Sequence, residues 1–469
     1  MMRAPEHFIG YGEYKEMKKI GAISGFPEWL PAQRMVEQEY IRLIQEQFEL
    51  FGFAPVETRA VEPLSQLLKK GETDKEIYVL KRLQAEENTE DANLGLHFDL
   101  TVPLARYVAQ NQAQLHFPFK RYQIQKVWRG ERPQEGRYRE FYQADIDVIG
   151  QGDLPLYFDA EMPLLLHAVM SSLPIPKLTL MVNNRKLMEG FYRGLGIEDI
   201  SNVLRTVDKL SKIGAEEVSA QLVSNLGLTL DVADKCLALA RIRTPDATFS
   251  DAVRDLGVVH PLLEEGIEEL CFVMDALGSL PKGSVVADLS VARGLDYYTG
   301  TVYEGLLEGH ESLGSVCSGG RYDNLVQGGR HAYPGIGVSI GLTRLLAPFF
   351  NKGLIPVARH TPTCVLVALN NEETRGDSMQ IVESLRARGI PSEVYHMPQK
   401  FGKQIRYAER KGIPFVWFPA MEKGEPDQIR DIRSGQQQEA HREKWEPQAE
   451  DLRPVSFANL KQEVQGEVK

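Results

Sequence analysis

The chain has 469 residues, 43 % of them hydrophobic and 25 % charged, which suits a soluble globular protein too long for one core, so two or three domains are expected. The net charge of −11 excludes blanket nucleic-acid binding, but it is unevenly spread: residues 356–469 balance 17 Lys and Arg against 17 Asp and Glu. A polyanion would therefore have to be met by local patches, most readily in the C-terminal part.

No run of 18 or more apolar residues marks a membrane span, and the first residues have neither the apolar segment of a signal peptide nor the composition of a transit peptide. Four cysteines (236, 271, 317 and 364) lie far apart without a CxxC pair, the usage of a cytoplasmic protein with reduced thiols and no cysteine-built zinc site.

From Gln33 to Phe51, Val36, Tyr40, Ile44, Phe48 and Phe51 recur at helical spacing and Gly52 stops the pattern, predicting a long amphipathic helix. Strand-like segments follow between about 54 and 150, broken by the polar loop LQAEENTEDANLG. Between about 185 and 275 short helices follow one another with no strand between them, predicting a helical insertion, assigned to 190–275, inside a first domain of about 1–350. Strand and glycine signals resume at Val285 and run to about Gly341. A second domain, about 360–455, alternates CVLVAL, SMQIVESLRARG, SEVYH, KQIRYAERKG and PFVWF, the strand–helix rhythm of a small α/β unit. Residues beyond about 440 are polar and are expected to fray.

The densest chemistry lies in RGERPQEGRYREFYQADID, Arg129 to Asp147, where four arginines (129, 132, 137, 139) and three glutamates (131, 135, 140) precede a strand. Pro133 and Gly136 would shape a hairpin tip. In the strand, a period of two puts Phe141, Gln143, Asp145 and Asp147 on one face and Tyr142, Ala144, Ile146 and Val148 on the other. An antiparallel sheet can simply turn such a polar face to water, and on this stretch alone that reading stands at even odds with a covered, hydrogen-bonded one. Arginine forks ahead of the strand favour a phosphate clamp.

RGERPQEGRYREF resembles the second signature motif of class II aminoacyl-tRNA synthetases, in the form found in the histidyl-tRNA synthetase family. ARGLDYYTGTVYE (Ala292–Glu304) and SVCSGGRYDNLV (Ser315–Val326) resemble two segments peculiar to that family. GIGVSIGLTRL (Gly335–Leu345) is similar to the third class II motif, FDLTVPLARYVAQN (Phe98–Asn111) to the amino-acid-binding loop, and KFGKQIRYAERKGIPFV to a helix of the anticodon domain. The resemblance runs from about Gly25 to Gly435. It implies an α/β protein whose α+β catalytic domain holds an antiparallel sheet flanked by helices, interrupted by the helical insertion and followed by a small α/β anticodon-binding domain.

The implied reaction joins histidine to the 3′ end of tRNA(His) through histidyl-adenylate, with ATP as substrate, Mg²⁺ as cofactor and a cytoplasmic homodimer as the working form. The resemblance implies that Arg129 contacts the α-phosphate, Glu131 the adenine edge and Arg137 the γ-phosphate, while Phe141 stacks on adenine under Arg344. Arg293 matches the catalytic arginine that bridges the histidine carboxylate and the α-phosphate. Asp147 and Tyr298 take the imidazole-reading positions, and Asp99, Thr101, Gln143 and Tyr322 those around the α-amino group and pocket wall. Gly335, Gly337 and Gly341 fit a strand-to-helix passage where contact with a ligand leaves no room for a Cβ. Which residues would hold the metal is left open by the resemblance.

Lys403, Arg406 and Arg410 share a helix face with Lys400 beside them, a stripe that could follow tRNA; by itself such a run is as readily a solvated surface. Ala60 stands where the family's first motif, which builds the dimer interface, normally carries proline. The alternative from the same fold is a non-catalytic paralogue, the regulatory subunit of ATP phosphoribosyltransferase. Such a chain would be expected to lose arginines of the ATP clamp and usually the C-terminal domain, both present here.

Overall fold

The computed structural model describes residues 21–68, 76–82, 93–292, 297–326, 331–355, 359–422 and 424–455. Arg293, the expected catalytic arginine, lies outside the described residues.

A nine-stranded mixed sheet organises the first domain. Its strands run in the order Ala54–Pro55, Phe119–Trp128, Glu140–Ile149, Gly335–Gly341, Cys317–Tyr322, Thr301–Leu307, Leu178–Asn184, Val285–Asp288 and Arg243–Thr244. The first pair and the Leu178–Asn184/Val285–Asp288 pair are parallel; the others are antiparallel. One face carries the hydrophobic core. The helix Pro31–Leu50 contributes Val36, Tyr40, Ile44 and Phe48, each without exposed surface, to the same cluster as Ala144, Ile146 and Val148 of the strand Glu140–Ile149. Helical spacing on one side and strand alternation on the other thus meet in one interface. The helix Tyr157–Ser172 packs into the same core and is tied to the sheet by Asp159, whose carboxylate takes a fork from Arg321 (Nη2 at 2.6 Å, Nε at 3.1 Å).

The helices Arg185–Gly194, Ile200–Val207, Leu210–Ile213, Ala215–Leu226, Leu230–Ala240, Phe249–Arg254 and Pro261–Ala276 fill the expected insertion. They extend the same core, through Met188, Phe191, Leu222 and Leu237, rather than making one of their own. The expectation of no strand there is corrected: Arg243–Thr244 pairs with Asp288 and Ala287 at the sheet edge. Two polar residues show no alternation, and only the neighbouring strand makes them extended.

The second domain has a five-stranded sheet ordered Ser392–Val394, Val365–Val367, Phe415–Phe418, Asp427–Asp431 and Gln437–Ala440, with helices Arg375–Ala387 and Phe401–Lys411. Buried Gln404 fastens the second helix to the sheet, accepting from Leu369 N (3.0 Å) and donating to Leu369 O (2.8 Å). Fraying from about residue 440 is also corrected as far as Val455. Trp445 packs edge-on against Phe415 and Trp417, with ring centres 5.1 and 5.9 Å away. Asp451 is buried against Arg433 (2.6 Å), and Val455 joins the core of the first domain. Polar composition hid these anchors because each rests on one side chain, not on a periodic face.

Candidate active site

The hairpin leading into the strand Glu140–Ile149 turns where expected. Gln134 and Arg137 bridge, and Gly136 takes φ +73°, the left-handed region that suits glycine. The tip lies against the helix Leu342–Asn351: the side chain of Arg344 runs past Gly136, and its Nη2 and Nε donate to Leu313 O at 2.6 and 3.2 Å. Arg344 is therefore half-buried and held over the hairpin rather than waving from a helix end.

Between them lies a cleft of about 250 Å³ lined by Arg129, Glu131, Arg137, Phe141, Gln143 and Arg344 together with Ser315, Cys317, Ser318 and Ser339. All five residues expected to hold ATP and one expected to hold histidine thus share one cleft. Arg129 donates from Nε to Phe98 O (3.0 Å) and lays its guanidinium over the Phe141 ring, 5.2 Å from the ring centre. Arg137 is exposed, with Nη1 3.6 Å from Glu131 Oε2. Such a surface pair is weak and gives way readily to a phosphate. Burial pushes the Cys317 thiol up to about 12, which leaves no thiolate for chemistry in this cleft.

Sequence reasoning missed Glu76. Its carbonyl accepts from Gly130 N (2.8 Å), and its carboxyl is raised by burial and by Glu131, while Arg129 and Arg137 pull it down. It therefore belongs to the clamp's surroundings, although its local sequence carries no motif.

Deeper along the sheet the polar face of the strand is covered, not wet: Gln143, Asp145 and Asp147 are all buried. Asp147 is opposite Arg121 on one side and Gly337 on the other. Fully buried Arg121 places Nη2 2.6 Å from Asp147 Oδ2, and Tyr322 donates its hydroxyl to Oδ1 at 2.5 Å. Asp99 is buried and accepts from Val102 N (3.0 Å), capping the helix Thr101–Asn111 at whose first residue Thr101 stands. Tyr298 lies over Gly320, with its ring centre 4.1 Å from that of Tyr297. The Tyr297 hydroxyl is raised by burial; its hydrogen bond with Tyr298 opposes this, and the charges of Asp99, Asp147 and Asp145 add to it. Asp147, Tyr322, Tyr297 and Tyr298 therefore gather in one place.

Arg121 was not foreseen. FKRYQIQKVW alternates like a strand facing water, and only the register against Asp147 shows Arg121 to be a buried countercharge. The glycines also differ from expectation. A Cβ on Gly337 would lie 2.0 Å from Asp147 Oδ1, and one on Gly335 2.4 Å from the Tyr322 ring. At both positions a protein side chain, not a ligand, occupies the space.

Residues 25–345 match the family model "Histidyl-tRNA synthetase" and residues 363–447 match "Anticodon binding domain". The chain belongs to the histidyl-tRNA synthetase family. The histidine–tRNA ligase of Cutibacterium acnes is 54 % identical over 448 residues, covering 93 % of this chain and 99 % of that protein. The histidyl-tRNA synthetase of Nostoc sp. PCC 7120 superposes with a TM-score of 0.81 at 32 % identity, covering 96 % of this chain and all of that one. A Bacillus halodurans protein titled an ATP phosphoribosyltransferase regulatory subunit/histidyl-tRNA synthetase shares the fold, with a TM-score of 0.70 at 19 % identity and coverage of 86 % and 99 %. Fold alone does not separate synthetase from regulatory subunit. The high-identity relatives favour the synthetase, and Arg129, Arg137 and Arg344, the arginines expected to hold ATP, line the cleft.

Proposed function

We propose that this chain is a histidine–tRNA ligase. A carboxylate oxygen of histidine attacks the α-phosphorus of ATP, the bond to the bridging oxygen breaks and pyrophosphate leaves. A hydroxyl of the 3′-terminal ribose of tRNA(His) then attacks the acyl carbon and AMP departs. The observation that carries this reading is the joining of two unlike surfaces: an arginine-lined cleft with an aromatic floor, continuous through Gln143 with a buried acidic row.

Negative charge grows on the α-phosphoryl oxygens during attack, and fixed guanidinium groups nearby lower that barrier without reorganising. Arg129 and Arg293 take this role, Arg137 and Arg344 hold the γ-phosphate, and Glu131 reads the adenine edge over Phe141. Asp147 and Tyr298 read the imidazole; pairing both ring nitrogens rejects amino acids that would leave these buried groups unpaired. Asp99, Thr101, Gln143 and Tyr322 surround the α-amino group and the pocket wall.

Among the described residues no group of three or more His, Cys, Asp or Glu is arranged to hold a metal ion. Mg²⁺ is commonly bound through one or two carboxylates plus substrate phosphates, so it fits here as a companion of ATP, with Glu131 and Glu76 within the clamp's surroundings. When bound it supplies positive charge to the phosphates.

The working form is a cytoplasmic homodimer, a reading supported by the resemblance to the family and, for the compartment, by four free cysteines. No described helix is long and apolar enough to cross a membrane. Lys400, Lys403, Arg406 and Arg410 are all exposed on or beside the helix Phe401–Lys411 and form the tRNA-facing stripe of the anticodon domain.

Pyrophosphate exchange into ATP, run with each of the twenty amino acids, tests the first step. Exchange with histidine alone is expected; none with any amino acid, in folded protein, would move the regulatory-subunit reading to first place. Changing Lys403, Arg406 and Arg410 together to Gln should lower tRNA charging and leave exchange intact. Unchanged charging would remove the stripe from the tRNA interface.

A further inference from the structure

Asp145 has no assigned role, yet it lies at the junction of the two surfaces. It is directly opposite Ser339 across the sheet, and the Ser339 hydroxyl donates to Asp145 Oδ1 at 2.5 Å. Having given its only proton to the carboxylate, the Ser339 oxygen accepts from Gln143 Nε2 at 2.7 Å. The other end of that amide, Gln143 Oε1, is buried with no hydrogen-bond partner in the protein. Both Gln143 and Ser339 line the cleft.

An amide has almost the same shape in either orientation, so its neighbours decide which end faces the ligand. An ionised carboxylate only accepts, and this acceptor forces one direction on the chain Gln143 → Ser339 → Asp145. We propose that Asp145 and Ser339 are positioning residues that lock the Gln143 amide with its oxygen toward the cleft, making it an acceptor for the α-ammonium group of the amino-acid substrate. The inference rests on the aminoacyl-activation reading above and adds to it the device that sets the polarity of the amine subsite.

The charges around Asp145 agree with a cationic ligand. Asp147 flanks it on its own strand, Arg121 faces it from Phe119–Trp128, and Asp99 and Tyr297 approach from the loops. Glu304 lies two strands beyond Ser339 in the row Glu304–Ser318–Ser339–Asp145. Burial raises the Asp145 carboxyl to about 7; Arg121 and Ser339 oppose this, and Asp147 and Asp99 add to it. Once protonated, Asp145 can donate to Ser339, the hydroxyl can turn toward Gln143, and the amide is free to present N–H instead. An incoming ammonium favours the ionised form and hence the productive orientation.

Pyrophosphate exchange with Ser339→Ala and Asp145→Asn tests this. Ser339→Ala should raise the KM for histidine about tenfold, the scale of a weakened hydrogen bond to a charged group, with little change in the KM for ATP. Inhibition by imidazolepropionate, which lacks the amine, should not change. In a Gln143→Ala background the Ser339→Ala penalty should vanish, and Ser339→Thr, which restores a hydroxyl, should recover histidine binding. Asp145→Asn should abolish the part of the rise in histidine KM below about pH 7 that exceeds protonation of histidine itself, which both enzymes share. Equal loss of affinity for histidine and imidazolepropionate, or a Ser339→Ala penalty persisting without Gln143, would overturn the relay. If wild-type enzyme exchanges normally with histidine and neither variant shifts its KM, the relay falls alone. If wild-type enzyme does not exchange with histidine, the activation reading falls and takes the relay with it.

Discussion

Replacing Asp145 by asparagine removes a carboxylate that folding forces out of water, so it should stabilise the protein in a pH-dependent way. Burial carries the Asp145 carboxyl from 3.8 to about 7. At about 1.4 kcal/mol per pH unit, the full ionisation penalty is roughly 4 kcal/mol. The folded chain binds this proton more tightly than the unfolded chain, so unfolding releases it. Stability from this group is complete below about pH 4, falls as pH rises towards 7 and is flat above that. Asparagine has no such loss. Between pH 5 and pH 8 the variant should therefore gain about 3 kcal/mol on the wild type, whatever constant difference separates them at pH 5. The assay is equilibrium urea unfolding at fixed protein concentration, following the transition of the domain that contains the nine-stranded sheet. Groups that do not interact with Asp145 are common to both proteins and cancel in the difference, while Asp147, Asp99 and Arg121, which act on it, contribute to that difference along with it. A difference that does not change with pH would show that Asp145 ionises as easily folded as unfolded and would remove the pH-dependent part of the relay. A gain in stability together with a raised histidine KM would place Asp145 among residues kept for function at a cost in folding.

Gly337→Ala should abolish exchange with histidine and destabilise the first domain, measured by exchange and urea unfolding, because the added Cβ lies 2.0 Å from Asp147 Oδ1 and must displace it from Arg121 and Tyr322. Arg344→Lys keeps the charge but loses the fork that Nε and Nη2 make on Leu313 O. It should raise the KM for ATP by roughly tenfold or more in the exchange assay and leave that for histidine nearly unchanged. Trp445→Ala should cost the second domain roughly 2–3 kcal/mol, below the range for a fully buried aromatic, because Trp445 packs against Phe415 and Trp417 but is only partly buried. Differential scanning calorimetry should show that loss, with tRNA charging reduced and pyrophosphate exchange preserved.

Much of the framework was legible because it repeats along the chain. The helix Pro31–Leu50 announces its buried stripe through Val36, Tyr40, Ile44 and Phe48, and the strand Glu140–Ile149 its two faces through alternation. The arginine hairpin was legible for another reason: a dense local cluster carries its chemistry with it. What escaped depends on residues distant in sequence. Ser339 sits in GIGVSIG, which reads as a plain core strand, and its partner Asp145 is 194 residues away. Arg121 looks solvent-facing until the register sets it against Asp147. The strands Asp427–Asp431 and Gln437–Ala440 are polar and half-exposed at a sheet edge, so they lack the apolar signal by which the neighbouring Phe415–Phe418 was found.

The two halves of the site answer different questions, and this bears on the rival reading. The buried row sets Asp145 and Asp147 beside Arg121, with buried Asp99 acting on them and buried Glu304 farther along the same sheet. Such an excess of negative charge is unfavourable in an empty interior and is relieved by a cationic ligand. A regulatory protein that senses histidine could use the same row, so the row identifies the ligand's chemistry without identifying a reaction. The cleft beside it separates the two. Sensing an amino acid requires no phosphate clamp, whereas activating one requires positive charge where the carboxylate meets the α-phosphate. Gln143 lies in the wall between these surfaces, with its amide nitrogen committed to Ser339 and its buried oxygen without a hydrogen-bond partner in the protein. An acceptor placed there is of little use to two ligands bound independently, and of most use when the amine it holds keeps the adjoining carboxylate aimed at the clamp.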